Sequence, residues 1–333
     1  MDDIMKQALK IVDAVIANME KVIVGKRRSI ELTVLSLLSR GHVLLEDVPG
    51  VGKTSLVSAL ARSVDCTFNR IQFTPDIMPS DITGFTMYNR KTGEFEYRPG
   101  AVMCQFLLAD EINRTSAKTQ ASLLEVMQEN QVTVDGRTYP VPQPFMVIAT
   151  QNPIEYLGTY PLPEAQMDRF FMRISLGYPS KEQERKLLAM HASGSPLEAL
   201  EPVATGRQLQ EIQKLVAQVY TDERVFAYIV DLAEATRQHR QVELGISPRA
   251  SIALHRASQA LAFCKGRSYV LPDDVQAVLE PVTAHRLLLK REAKIKGVTA
   301  QAVLEEILGR QPVPGMPEQR SPAREGAAAE ALH

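Results

Sequence analysis

One feature constrains this chain more than any other: a short apolar run that stops at a glycine-rich turn and resumes as a helix. His42-Val43-Leu44-Leu45-Glu46 reads as a buried parallel strand. Asp47-Val48-Pro49-Gly50-Val51-Gly52-Lys53-Thr54 follows, and residues 53–63 then carry apolar side chains at helical spacing. The phosphate-loop pattern asks for a glycine, four residues, then Gly-Lys-Ser/Thr. Asp47 stands where the first glycine is expected, so the match is incomplete. The physical requirements are nevertheless present. Gly50 and Gly52 permit positive φ and a close approach of backbone amides to phosphate oxygens. The helix start adds partial positive charge. Lys53 can reach the outer phosphates, and the Thr54 hydroxyl can ligate a Mg²⁺ ion. A tight turn carrying an exposed lysine is the bland alternative. The order strand, turn, helix favours the phosphate site.

Other segments extend the pattern. Residues 68–73, 106–110, 145–150 and 171–176 are further strand candidates, and residues 116–129 have helical spacing. Strands alternating with helices predict an α/β core built on a parallel sheet. Phe106-Leu107-Leu108-Ala109 ends in two adjacent carboxylates, Asp110 and Glu111. In phosphate-loop enzymes an acid at this position helps hold Mg²⁺, and a following Glu can act as general base for an attacking water. No Asn-Lys-x-Asp guanine reader is present, which favours ATP over GTP. Two segments interrupt the alternation: residues 84–101, with Phe95 and Tyr97 alternating, and residues 131–144, with an Asp135-Gly136 turn. Both are expected to be β-hairpins. From about residue 180 the pattern becomes all helical, with Asp273 as an expected N-cap and Pro281 expected to kink or end its helix. The predicted domains are residues 1–178 for the core with N-terminal helices, 179–310 for an all-α lid, and 311–333 for a disordered Pro/Ala-rich tail.

Lys plus Arg total 38 against 39 for Asp plus Glu, a balance that argues against a nucleic-acid or membrane coat protein. Cys66, Cys104 and Cys264 lie far apart and suit three buried thiols in a reducing compartment. The six histidines have no ligand spacing. The N-terminal segment lacks a signal-peptide pattern, and no run of 18 uncharged apolar residues occurs; a cytoplasmic location is expected.

Taken together, Leu45 to Thr54, Arg70-Ile71-Gln72-Phe73-Thr74-Pro75-Asp76, Pro79 to Gly84, Ala109 to Thr115, Gln151-Asn152-Pro153 and Leu162 to Phe170 closely resemble the MoxR family of AAA+ ATPases. Asp47 in place of glycine is normal for that family. The resemblance covers about residues 20–300 and implies a sheet order of 5-1-4-3-2. It implies ATP as substrate, with Mg²⁺ held by Thr54 and Asp110, Glu111 as base and Lys53 on the phosphates. Val48, Pro49, Gly50, Val51, Gly52 and Ser55, with Val24 and Gly25 from the N-terminal region, complete the expected nucleotide-binding set. Asn152 resembles the sensor-1 residue that orients the attacking water. Arg169 in Asp168-Arg169-Phe170 matches an arginine finger acting on a neighbouring subunit, with Arg173 as a competing candidate better suited to a structural role. Arg249 in Ser247-Pro248-Arg249-Ala250 resembles sensor 2. The family implies a hexameric ring, chaperone-like maturation or cofactor insertion, and a partner carrying a von Willebrand factor A domain. The motor of a metal chelatase and a non-hydrolysing nucleotide-switch scaffold are the alternatives.

Overall fold

A strand buried on both faces must alternate its side chains between two cores, and the run after His42 does so. In the computed structural model, which describes residues 2–151, 160–192 and 194–315, β1 (Val43–Glu46) sends Val43 and Leu45 into one apolar cluster and Leu44 into another. The edge strand β2 (Phe68–Gln72) comes next, followed by a hairpin of β3 (Gly84–Asn89) and β4 (Glu94–Pro99). β5 (Phe106–Asp110) repeats the alternation, with Phe106 and Leu108 on one side and Leu107 and Ala109 on the other. A second hairpin joins β6 (Gln131–Val134) to β7 (Arg137–Pro140). β8 (Met146–Gln151) and β9 (Met172–Ile174) complete the main sheet.

The sheet order is β2-β5-β8-β1-β9, and every pairing is parallel. Counting only these five strands from the N-terminus, the order is the expected 5-1-4-3-2. All five carboxyl ends therefore lie at one edge of the sheet, where ligands bind in open α/β folds. The cluster containing Val43 and Leu45 is shared with the N-terminal helices, the helix Lys53–Ser63 and the lid. The other cluster is covered by the helix Ala117–Glu129.

His42 ties these layers together. Its Nδ1 accepts from the Val147 N–H at 3.0 Å, and its Nε2 lies 2.9 Å from the Met127 carbonyl. That pairing needs the neutral ring with Nε2 protonated, and burial pushes the His42 pKa down to about 4. Both expected hairpins are present. Asp135 and Gly136 have φ of 49° and 76°, as a two-residue primed turn requires. Tyr97 stacks on Tyr139 with ring centroids 4.0 Å apart, joining one hairpin to the other.

The lid contains the helices Gly206–Val216, Glu223–Gln238, Pro248–Cys264, Pro272–Thr283 and Ala300–Arg310. The lid is helical as expected, with one short addition: β10 (Val242–Leu244) pairs antiparallel with β11 (Leu288–Leu289). One capping expectation is corrected here. Leu271, not Asp273, is the N-cap of the helix Pro272–Thr283, and the Asp274 carboxylate accepts from the Leu271 N–H at 2.9 Å. Pro281, expected to kink or end this helix, lies inside it, two residues before its last residue Thr283. The carbonyl left without a donor by a proline belongs to the residue four positions earlier. That residue is Ala277, whose carbonyl accepts from Arg28 Nη2 at 2.8 Å. Of the three free cysteines only Cys104 is fully buried, although burial pushes each thiol up to about 12. Among the described residues no helix is long and apolar enough to cross a membrane. The expected disorder of the tail concerns residues that, from 316 onward, lie outside the described set.

Candidate nucleotide site

Gly50 and Gly52 adopt φ of 83° and 95°, and Gly52 is the N-cap of the helix Lys53–Ser63. Both conformations are ones that side-chain-bearing residues adopt at a cost. Two positive-φ glycines directly before a helix start are the backbone arrangement that suits an anion. Asp47 has a definite job at the head of this loop. It is buried, and its carboxylate accepts from the Leu176 N–H at 2.5 Å, the Gly177 N–H at 3.0 Å and the Ser175 hydroxyl at 2.8 Å. These bonds fix the loop to the segment leaving β9, which a glycine could not do. Lys26 Nζ donates to the Tyr178 carbonyl at 2.8 Å, and Gln183 Nε2 to the Gly25 carbonyl at 3.3 Å. The Val24-Gly25 turn is thus brought to the same segment that anchors the loop.

The Lys53 ammonium donates to the Asp47 carbonyl at 2.8 Å. Burial lowers its pKa, while the charges of Asp47, Asp110 and Glu111 act the other way, so a cation and three carboxylates share this end of the sheet. Thr54 is exposed beside it.

Asp110 and Glu111 close the carboxyl end of β5. Thr150 on β8, fully buried, serves both: its hydroxyl donates to Asp110 Oδ1 at 2.6 Å and accepts from the Glu111 N–H at 2.8 Å. Arg70 from β2 pairs with Asp110 Oδ2 at 2.7 Å. Glu111 Oε2 accepts from Gln72 Nε2 at 2.8 Å and from Arg114 Nε at 3.1 Å. Glu111 itself sits at φ 56°, ψ 50°, a left-handed conformation that costs a non-glycine residue about 1–2 kcal/mol. Strain of this kind concentrates at functional sites, and here it turns the carboxylate out of the line of the strand.

The donor chemistry suits Mg²⁺. Asp110 and the Thr54 hydroxyl are hard oxygen ligands, and Mg²⁺ commonly takes one or two carboxylates and completes its shell with phosphate and water. Among the described residues no group of three or more His, Cys, Asp or Glu could hold a metal ion by itself.

Arg169 is partly exposed after the short helix Glu164–Met167, and Arg249 is exposed in the first turn of the helix Pro248–Cys264. Asp168 next to Arg169 is tied to the lid. Its carboxylate accepts from the Ser247 hydroxyl at 3.0 and 3.1 Å and lies 3.6 Å from Arg286 Nη1. Arg173 pairs with Glu46 at 2.8 Å, β9 to β1, inside the sheet. Asn152 lies outside the described residues.

Thr150, Arg70, Gln72, Arg114 and Arg286 were not assigned roles from the sequence. The partial signal available for Arg70, Gln72 and Arg114 was their place in the family-like stretches; Thr150 and Arg286 gave none.

Known proteins match this architecture. Residues 42–172 match the ATPase family associated with various cellular activities (AAA), and residues 234–307 match the AAA lid domain. The chain is 52% identical over 299 residues to YeaC of Bacillus subtilis (strain 168), covering 90% of this chain and 93% of that one. It is 45% identical over 302 residues to chaperone MoxR1 of Mycobacterium tuberculosis (strain ATCC 25618 / H37Rv), covering 88% and 80%. It is 33% identical over 297 residues to protein MoxR of Paracoccus denitrificans, covering 82% and 87%. A crystal structure from Cytophaga hutchinsonii ATCC 33406, assigned as an ATPase, superposes with a TM-score of 0.88 at 39% identity, covering 93% of this chain and 97% of that chain.

Proposed function

The chain belongs to the MoxR family of AAA+ ATPases and hydrolyses ATP, and from that premise we propose a Mg²⁺-dependent motor that assembles into a ring and remodels a partner protein. One observation carries the catalytic part. Lys53, Asp110 and Glu111 meet at one end of a parallel sheet, around a loop whose glycines and helix start are shaped for phosphate. In this reading the loop amides and Lys53 hold the outer phosphates. Asp110 and Thr54 hold Mg²⁺, which neutralises charge on the phosphates when bound. Glu111 takes the proton of the attacking water. Thr150 holds the Asp110 carboxylate and the Glu111 backbone N–H in place, and Asn152 lines up the water.

Gln72 and Arg114 occupy Glu111, and Arg70 occupies Asp110. Both carboxylates must be freed from these partners before they can serve. Arg249 closes on the phosphates from the lid of the same subunit, and Arg169 reaches the neighbour's phosphates, which makes a single subunit incomplete. A head-to-tail contact of this kind closes into a ring, with a hexamer as the family expectation. The client is a cytoplasmic protein with a von Willebrand factor A domain, matured with its cofactor or metal. The chaperone name of the mycobacterial relative supports that direction.

The test of the catalytic assignment is Glu111→Gln. ATP affinity should stay within about twofold of the parent, while steady-state phosphate release falls by about 10²-fold or more. Unchanged turnover would remove Glu111 from the role of base.

A further inference from the structure

The site just described leaves unexplained a buried cation at the junction of core and lid. The Arg286 side chain is only 3% exposed. Its Nη2 donates to the Phe170 carbonyl at 2.6 Å, which spends one of its five N–H donors on the residue after Arg169. Its Nη1 points to Asp168, the residue before Arg169, but stops at 3.6 Å and has no hydrogen-bond partner among the described residues. A buried guanidinium nitrogen left without an acceptor loses its hydration and gains nothing in return. Charge-assisted N–H···O⁻ bonds close at about 2.7–2.9 Å. A displacement of less than about 1 Å would therefore complete this one.

The same carboxylate is held from the lid side. The Ser247 hydroxyl donates to Asp168 and at the same time accepts from the Ala250 N–H at 3.2 Å, capping the helix Pro248–Cys264. Arg249 is the second residue of that helix. A cavity of about 470 Å³, lined among others by Asp168, Ser247 and Arg286, separates core from lid at this point and leaves room for the displacement. Burial brings the Arg286 pKa down to about 10, with Asp168 opposing the change and Arg249 adding to it.

We propose that Asp168, clamped between Ser247 and Arg286, is a positioning residue that sets the direction of Arg169 according to the state of the lid in the same subunit. When Arg249 draws the lid onto a bound nucleotide, Ser247 moves with the helix start and Arg286 closes on Asp168. The backbone from Asp168 to Phe170 is then gripped on both sides of Arg169, and the finger offered to the next subunit is fixed. The state of one nucleotide site thereby reaches its neighbour through two hydrogen bonds and an ion pair. This inference rests on the reading of Arg169 as a finger acting in trans.

The experiment mixes two proteins. Acceptor subunits carry Arg169→Ala and keep an intact site. Donor subunits carry Glu111→Gln, bind ATP, and keep the finger. Hydrolysis in the mixture arises only where a donor finger meets an acceptor site. Adding Asp168→Ala to the donor should lower this rate by about tenfold, the order expected when a catalytic group is displaced by less than 1 Å. The same change added to the acceptor should leave the loss absent, because the acceptor has no finger to position. Donor Ser247→Gly, which keeps most of the helix cap but removes the hydroxyl, should repeat the loss, and donor Ser247→Thr should restore the rate. Nucleotide affinity, read with a fluorescent ATP analogue, should be the same in every donor. Equal loss from donor and acceptor, or no loss from the donor, would overturn the clamp while leaving the finger intact. A parent mixture with no recovered hydrolysis would overturn the trans finger itself and the clamp with it.

Discussion

The two ends of the proposed catalytic site are built in different ways. On the phosphate side, the groups come from continuous stretches: β1, its loop and its helix supply Asp47 to Thr54, and β5 supplies Asp110 and Glu111. The sheet register alone places them together, because Leu45 lies opposite Thr150 and Ala109 opposite Ala149. On the finger side, Arg169 follows a single-turn helix, and what steadies its neighbours arrives from residues 247 and 286, roughly 80 and 115 positions away in the chain. A frame made of backbone pairings is rigid before any ligand binds. A frame made of side chains across a cavity can change with the lid.

That difference can be broken experimentally, and the largest effect should lie on the finger side. Arg169→Ala should lower hydrolysis by about 10³-fold, the lower end for arginine fingers, with ATP affinity and melting temperature close to the parent. A fall in affinity of similar size would place Arg169 in its own subunit's site instead.

Next comes the backbone frame itself, through His42. The folded ring stays neutral down to about pH 4, while the unfolded ring takes up a proton near pH 6.5. The unfolded state therefore binds more protons in this window, and stability falls as pH drops from 6.5 to 4, by up to about 3 kcal/mol from this residue. His285 at the lid junction is also buried with its pKa lowered, and adds in the same direction. Denaturant unfolding of the parent and of His42→Gln across this range should give a shallower pH slope for the variant. Identical slopes would mean that His42 is not the titrating group.

Thr150→Val tests whether the frame orients the Asp110 carboxylate and the backbone of Glu111. The substitution keeps the shape and removes the hydroxyl shared by Asp110 and Glu111. A loss of kcat of about 10-fold or more is expected, with KM little changed. A change confined to KM would assign Thr150 to binding.

The smallest effect belongs to Arg249→Ala. Its exposed position predicts a melting temperature near that of the parent, and nucleotide affinity weaker by about tenfold, as for one lost charge-assisted contact. A large loss of melting temperature with unchanged affinity would make Arg249 a structural residue.

The contrast also explains what the sequence could and could not reveal. Gly50, Gly52 and Lys53 are legible because their chemistry depends on order along the chain. The alternation of Val43, Leu44 and Leu45, and the Asp135-Gly136 turn, are local for the same reason. Asp47 departs from the phosphate pattern, and the physical reason lies some 130 residues away, where its carboxylate accepts from Ser175, Leu176 and Gly177. Pro281 is accommodated inside its helix because the donor replacing its N–H is Arg28, from the other end of the chain. The pairing of β10 with β11 was missed because two or three residues of strand leave no period to detect. Arg70 and Gln72 point to neighbouring strand ends, and no spacing within β2 records which acid each one meets.

The most direct measurement is the ATPase rate per subunit, followed across a dilution series together with the molecular mass in solution. Two incomplete halves that meet only between subunits predict a rate that rises through the same concentration threshold as assembly, and an Arg169→Ala protein that assembles over that range yet stays slow throughout. A rate per subunit that holds constant while the protein dissociates to monomers would contradict the account.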